Sequence, residues 1–570
     1  MMNSLLPTFL QIPGLLMVFG ALLVPLLPHA IRQIWMLAII AVSVWLCWGI
    51  APGVHMTTQL AGLDLILVRA DAITRPFALF FHIAAALNVI YAMHENVRTT
   101  ATAGLAYAGA AIAALFAGDF ITLFIYWELT AFTSVFLILI SRSERSFAAA
   151  MRYLLMQVSS GVILLAGAVI LWHSGQGLNV QALDASTLAG GLILLAFGIK
   201  AAFPFVNGWL QDAYPEASVT GTVMLSAFTT KLAIYMLALC FAGTEILIWI
   251  GAVMTLFPVF FAVIENDLRR VLTFSLNSQL GFMVVGVGIG SELAINGTVS
   301  HAFASTIYKA LLFMSMGAVL HRTGTAKASE LGGLWKRMPL TMIFCIIGAV
   351  SISSFPLFSG FVTKSLTIGS VAKEGYFVVW MILIFASVGA LENSGLKIPY
   401  FSFFGRDRKF EVKEAPLSML IAMAIAAGLC IAIGVAPQLL YGILPYAVEY
   451  NAWEAGHVLG EMQLLLFAIL AFAFLVARGL YPPQIDSTVL NTDWLLRRLL
   501  PRLTMAIARP ILSVWFTALQ HAKKLVMDGL YIGERASQQT GLVSGVASTG
   551  AAAGIFLAVF ALLLILLFSM

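Results

Sequence analysis

Five lysines, Lys200, Lys231, Lys309, Lys364 and Lys397, fall inside or at the end of long apolar runs, as do two glutamates, Glu128 and Glu392. An ammonium group at the centre of a bilayer costs a few kcal/mol to insert, and such groups mark ion and proton pathways. A lysine near a helix end can extend its amine to the headgroups. That accounts for Lys397 and for Lys364, but poorly for Lys200, Lys231 and Lys309, which lie farther from any end. An amine beside a carboxylate stays charged. Separated from it in an apolar medium, the amine favours its neutral form, so it can carry a proton. His301, Ser305 and Lys309 are spaced i, i+4, i+8. On a helix they share one face at about 6 Å per step, a spacing suited to a relay with water between the groups.

Such residues need membrane helices to position them. The chain has 570 residues, of which 61% are hydrophobic and 10% charged. Mean hydropathy is +0.98. An ordinary soluble domain is about 25% charged. A soluble enzyme, a disordered chain and a disulfide scaffold are therefore excluded, and continuous rather than alternating apolar runs disfavour a barrel. The fold class expected is all-α, a polytopic membrane protein of roughly 14 to 16 spans at about 20 residues each. Candidate spans are 10–27, 33–51, 75–93, 101–117, 120–140, 148–172, 187–210, 220–242, 246–264, 271–290, 297–320, 340–371, 376–400, 416–435, 462–478 and 543–569. A basic, partly amphipathic stretch at 486–536, containing Pro501 and Pro510, precedes the last of them.

Basic residues cluster in the loops after odd-numbered spans, for example Arg98, Arg142, Arg145, Arg322, Arg337 and Arg406. Loops after even-numbered spans hold only Arg69, Arg75 and Lys373. The positive-inside rule places the odd loops in the cytoplasm and the N-terminus outside. The opening MMNSLLPTFL has no basic region, so 10–27 reads as a retained helix.

The seventh span contains Pro204 four residues after Lys200, and the twelfth has Pro356 and Gly360 before Lys364. Proline removes a backbone donor. Broken helices beside charges suggest a hydrated cavity at midplane, as in secondary transporters. Shifting by five spans maps Lys200 onto Lys364 and Lys231 onto Lys397, which predicts two inverted five-helix repeats. The domain organisation expected is N-terminal helices over 1–100, a first repeat plus connecting helix over 101–264, a second repeat over 271–400, additional helices over 401–480, a cytoplasmic or lateral segment over 481–542, and a final helix over 543–570.

Cys47, Cys240, Cys345 and Cys430 each stand alone in apolar sequence, with no CxxC or Cys/His spacing. Walker, Rossmann and haem-attachment motifs are missing, and GVGIG at 286–290 reads as close helix packing. Neither a cofactor nor a metal is expected.

Several segments carry a resemblance: YWELT at 126–130, GIKAAFP at 198–204, WLQDAY at 209–214, ENDLRRVLTFSLNSQLGFM at 265–283, HAFASTIYKALLFMSMGAVL at 301–320, ELGGLWKRMP at 330–339 and FPLFSGFVTKS at 355–365. In this order they resemble the antiporter-like subunits shared by respiratory complex I, membrane-bound hydrogenases and Mrp-type sodium/proton antiporters, with the D-type member of the Mrp set most similar. The resemblance covers about residues 70 to 400. It implies that Glu128 is the fifth-helix glutamate, Lys200 its partner on the broken seventh helix, Lys231 the eighth-helix lysine and Lys364 the charge of the broken twelfth helix. His301 and Lys309 match two members of a His-x3-His-x3-Lys pattern, whose middle position here is Ser305. Gln211 stands where the family usually has proline. Lys397 and Glu392 have no assigned counterpart.

The expected function is that of a proton-translocating subunit of a multisubunit monovalent cation (Na+)/H+ antiporter in the cell's inner (plasma) membrane. Other membrane subunits, the cation, the proton and lipid are its partners, and no nucleic acid is involved. Glu128 would attract and release Lys200, which passes a proton through Lys231 to His301 and Lys309, and Lys364 leads to an exit. Alternatives are a membrane-arm subunit of a redox complex, itself without a redox centre, and an ion-coupling subunit for inorganic-carbon uptake. A scaffold without transport fits the buried lysines poorly.

Overall fold

The computed structural model describes residues 12–60, 62–486, 498–537 and 549–568. Residues 10–11, 487–497, 538–548 and 569, which fall within expected elements, lie outside the described residues. The chain divides into two units, Met1–Asp493 and Trp494–Met570.

The first unit begins with α1 (Leu15–Leu23) and α2 (His29–Trp48), followed by an antiparallel hairpin of β1 (Gly53–Leu60) and β2 (Leu63–Ala70). Then come α3 (Thr74–Tyr91), α4 (Arg98–Leu115), α5 (Phe120–Leu139), α6 (Glu144–His173), α7 (Leu188–Ala201), α8 (Gly208–Glu216), α9 (Val219–Ala227) and α10 (Thr229–Cys240). The series continues with α11 (Ile246–Ile264), α12 (Leu268–Ile289), α13 (Glu292–Thr323), α14 (Pro339–Ile352) and α15 (Ser359–Lys373). Next is α16 (Phe377–Ala390), prolonged by π-helical turns at Leu391–Lys397 and Tyr400–Phe404. The unit ends with α17 (Leu417–Val435), α18 (Gln438–Tyr441) and α19 (Ala455–Ala477).

The second unit contains α20 (Leu500–Ser537), a strongly amphipathic helix of 38 residues that runs through Pro510, and α21 (Thr549–Phe568). Twelve helices among the described residues are long and apolar enough to cross a membrane, Pro501–Ile532 among them. The protein is thus all-α and polytopic, and its one sheet among the described residues is the hairpin, an element that the apolar periodicity does not announce.

Local chemistry starts the helices where the polypeptide must turn. Asp119 caps α5 by accepting from the amides of Ile121 at 2.9 Å and Thr122 at 2.7 Å, satisfying donors that a helix N-terminus leaves free. Ser143 and Ser146 form a reciprocal capping box on α6. Burial then sorts the helices. The most apolar stretches of α9–α10, α12 and α13 are each 94% buried, that of α19 only 11%. The first three therefore form the centre, and Lys231 and Lys309 lie on them.

Two breaks are alike in detail. Ala202-Phe203-Pro204-Phe205 separates α7 from α8, and Ser354-Phe355-Pro356-Leu357 separates α14 from α15. The outer residues of each tetrapeptide are left-handed, with φ of 62° and 69° in the first and 60° and 74° in the second. Each such residue costs roughly 1–2 kcal/mol. Backbone bonds fold each break back in the same way, Phe203 N to Gly198 O at 2.9 Å and Phe355 N to Val350 O at 3.2 Å. Lys200, however, precedes its break whereas Lys364 follows its own. The breaks superpose by sequence, but the lysines do not.

Candidate functional site: a file of buried amines

All five lysines are buried in the first unit. Each donates to a backbone carbonyl. Lys200 Nζ, from the last turn of α7, reaches Trp127 O of α5 at 2.6 Å and Thr130 Oγ1 at 2.9 Å, and lies 4.2 Å from the centre of the Trp127 ring. Lys231 Nζ reaches Ser226 O at 2.6 Å. That carbonyl is released because the eighth span breaks at Phe228, between α9 and α10, without a proline. Lys309 Nζ contacts Leu272 O of α12 at 3.3 Å. Lys364 Nζ holds Ile352 O, the last carbonyl of α14, at 2.7 Å, and Ser387 Oγ at 3.4 Å.

Lys397 differs. Its amine binds Ala262 O at 3.0 Å, Val263 O at 2.7 Å and Glu265 O at 2.6 Å. It caps the C-terminal end of α11, where a cation complements the helix dipole. This placement accounts for its charge without a transport role.

Among the described residues, none of these amines forms an ion pair within 4.0 Å. The expected buried pair of Glu128 and Lys200 is therefore open in this structure. The amine is held instead by the Trp127 carbonyl and Thr130, one residue before and two after Glu128. Glu128 Oε1 is buried with no hydrogen-bond partner. It packs onto Gly161 of α6, where a Cβ would overlap the carboxylate. Sequence reading finds Glu128 and Lys200 but misses Trp127 and Thr130, although both stand in the same YWELT segment.

His301, Ser305 and Lys309 do share one uninterrupted helix, the 32-residue α13, and all three are fully buried. The His301 ring meets Thr363 Oγ1 at 3.2 Å through Nδ1 and the Tyr308 hydroxyl at 3.5 Å through Nε2. Tyr308 in turn donates to Gln279 Oε1 at 3.0 Å. The Ser305 hydroxyl bonds Ala302 O of its own helix at 3.2 Å. Around these groups, Thr230 Oγ1, Ser275 Oγ, Asn277 Oδ1, Gln279 Nε2, Ser359 Oγ and Thr367 Oγ1 are buried without a protein partner. Buried polar atoms left over in this way are sites for ordered water. Water at these atoms would link α10, α12 and α15 across the lysines. The site can thus hold and pass protons, with amines bound to dipoles rather than locked to counter-charges.

Half-helices meeting at buried amines that pair with no carboxylate define the class as a polytopic membrane protein with a charged interior. Residues 117–389 match the family described as NADH:quinone oxidoreductase/Mrp antiporter, transmembrane. Through this region, just under half of the chain, it is similar to the antiporter-like membrane subunits.

Among curated relatives, the A-type subunit of the Na+/H+ antiporter of Alkalihalophilus pseudofirmus is 29% identical over 461 residues, 70% of this chain and 55% of the relative. Its counterpart in Bacillus subtilis is 28% identical, over 62% and 50% respectively. The chain thus spans about half the length of these relatives, which are of the A type where the sequence resemblance leans to the D type. Among solved structures, a chain of the archaeal membrane-bound sulfane sulfur reductase matches with a TM-score of 0.70 at 22% identity, covering 98% of this chain and 99% of that one. A chain of the Mrp complex from Dietzia sp. matches at 0.67 and 21%, covering 77% and 97%. These last two likenesses are of fold.

Proposed function

We propose that the chain is the proton-translocating subunit of a multisubunit sodium/proton antiporter. The observation that carries this reading is the set of four buried amines, Lys200, Lys231, Lys309 and Lys364, each bonded to backbone carbonyl and none to a carboxylate. A scaffold gains nothing from desolvating charges in this way. In this reading the Lys200 amine moves between the Trp127 carbonyl and the neighbouring Glu128 carboxylate. Paired with Glu128 it keeps its proton, and released it can pass the proton on through Lys231, His301 and Lys309 to Lys364. Ser305 takes part through water, because a hydroxyl does not titrate near neutrality.

The matching Phe-Pro breaks support the inverted repeats, with the domain bounds 101–264 and 271–400. The basic loops support an N-terminus outside the inner (plasma) membrane. The family description also covers NADH:quinone oxidoreductase, so a redox-driven membrane arm is the second reading.

The test uses everted vesicles from cells making the chain together with its neighbouring subunits. Sodium addition is expected to release an imposed proton gradient with the native chain and not with Glu128→Ala at equal protein content. Gradient release that is indifferent to sodium, or unchanged by Glu128→Ala, would refute the antiport reading.

A further inference from the structure

The proposed function leaves Lys364 without an outlet, and it leaves Glu392 unused. One helix, α16 with its π-helical continuation, passes both. Ser387 of α16 lies 3.4 Å from the Lys364 amine. Glu392 follows five residues later, about 7.5 Å along the axis, where the helix has widened into a π-helical turn. Such turns often sit at functional sites because they reorient side chains and backbone groups. Gly395, in the same turn, packs on the Ser353 hydroxyl, next to the Ile352 carbonyl that holds Lys364. Asn393 Nδ2 is buried there without a partner.

On its other side, the Glu392 carboxylate is bonded to Tyr481, a residue that lines a cleft. The Tyr481 hydroxyl donates to Oε1, and Oε2 is buried without any partner. Tyr481 lines a cleft of about 410 Å³ together with Ser329, Tyr400, Arg406, Arg408 and Gln484. Arg406 and Arg408 belong to the basic loop after α16, so the cleft opens on the face that carries the positive charge.

We infer that Glu392 exchanges protons between Lys364 and this cleft, giving the path an opening on the basic face. The inference rests on Lys364 being a proton site, as proposed above. Tyr481 occupies Oε1 and leaves Oε2 to accept. A proton leaving the Lys364 ammonium by way of Ser387 and water makes a neutral amine and a neutral carboxylic acid. The acid then releases its proton to water in the cleft and becomes a carboxylate again, once more bonded to Tyr481.

The test measures sodium-driven proton flux in vesicles holding the assembled complex, across a range of pH. Glu392→Gln is expected to lower flux roughly tenfold or more at unchanged protein content, the scale of a lost proton-transfer group. Glu392→Asp should restore most of the flux, and Tyr481→Phe should shift its pH profile. Native flux and pH profile in Glu392→Gln, beside inactive Glu128→Ala and Lys364→Ala, would overturn this inference and leave the proposed function standing. Equal losses in the Asp and Gln variants, with no shift in Tyr481→Phe, would also overturn it, by making Glu392 a packing residue. Flux that survives Lys364→Ala would overturn both readings.

Discussion

Lys200→Ala is expected to abolish sodium-dependent proton flux, by roughly 100-fold or more, the scale of removing an essential acid–base group, while the protein inserts and assembles normally. The amine is fully buried and makes its bonds to Trp127 O and Thr130 Oγ1. Removing it takes a desolvated charge out of the bundle, a change that eases insertion rather than hindering it. The lost polar contacts are one carbonyl bond, one hydroxyl bond and the approach to the Trp127 ring. Thr130 keeps a second bond, donated to Trp127 O at 2.6 Å, and that same bond keeps the carbonyl paired. Structure therefore survives where function does not. Immunoblots of the membrane fraction beside flux in the same vesicles check both halves of the expectation.

Arg269→Ala is expected to do the reverse and to lower stability by about 3–5 kcal/mol, as when a buried charge network loses one partner. The guanidinium, 5% exposed, donates to Pro215 O and Ala217 O at 2.9 Å each, to Ser218 O at 3.4 Å and to Thr222 Oγ1. These carbonyls end α8 and begin the turn into α9, so one cation ties the lower part of the broken seventh span to α12. Without it, several buried carbonyls lose their donor at a helix C-terminus, where positive charge also complements the dipole. Lysine is no substitute for a planar fork that serves separate acceptors. Thermal melting of the detergent-purified complex reads the effect as a large drop in Tm and little recovered protein, while Arg269→Lys should fall between the two.

The spans are legible from sequence because each needs about 20 apolar residues; α2 to α6 begin and end within a few residues of the expected bounds. The two proline breaks are legible for the same physical reason that makes them breaks, the missing donor of Pro204 and Pro356. The break at Phe228 has no such sign. It is fixed by the side chains packed around it, among them the Tyr107 hydroxyl, which accepts from the Thr229 amide at 3.0 Å. The π-helical turns after Ala390 are equally silent, because an i→i+5 register leaves no residue signature of its own.

The candidate site follows the same division. Burial of the lysines is readable from the apolar runs around them. Whether Lys200 faces Glu128 or the Trp127 carbonyl is a rotamer choice between neighbouring residues on α5, and sequence does not carry it. Lys397 shows the converse. Its position looks equivalent to that of Lys231, yet its amine caps α11 and needs no partner in a relay.

The central claim is that protons cross by way of buried amines, and Lys309 tests it most directly. It sits fully buried on α13 with a single hydrogen bond, to Leu272 O at 3.3 Å, and methionine fills a similar volume, so the substitution costs the fold little. Proton flux driven by a sodium jump should fall to background in Lys309→Met vesicles that contain the native amount of complex. Flux at the native rate in that variant would mean that protons travel by some other route.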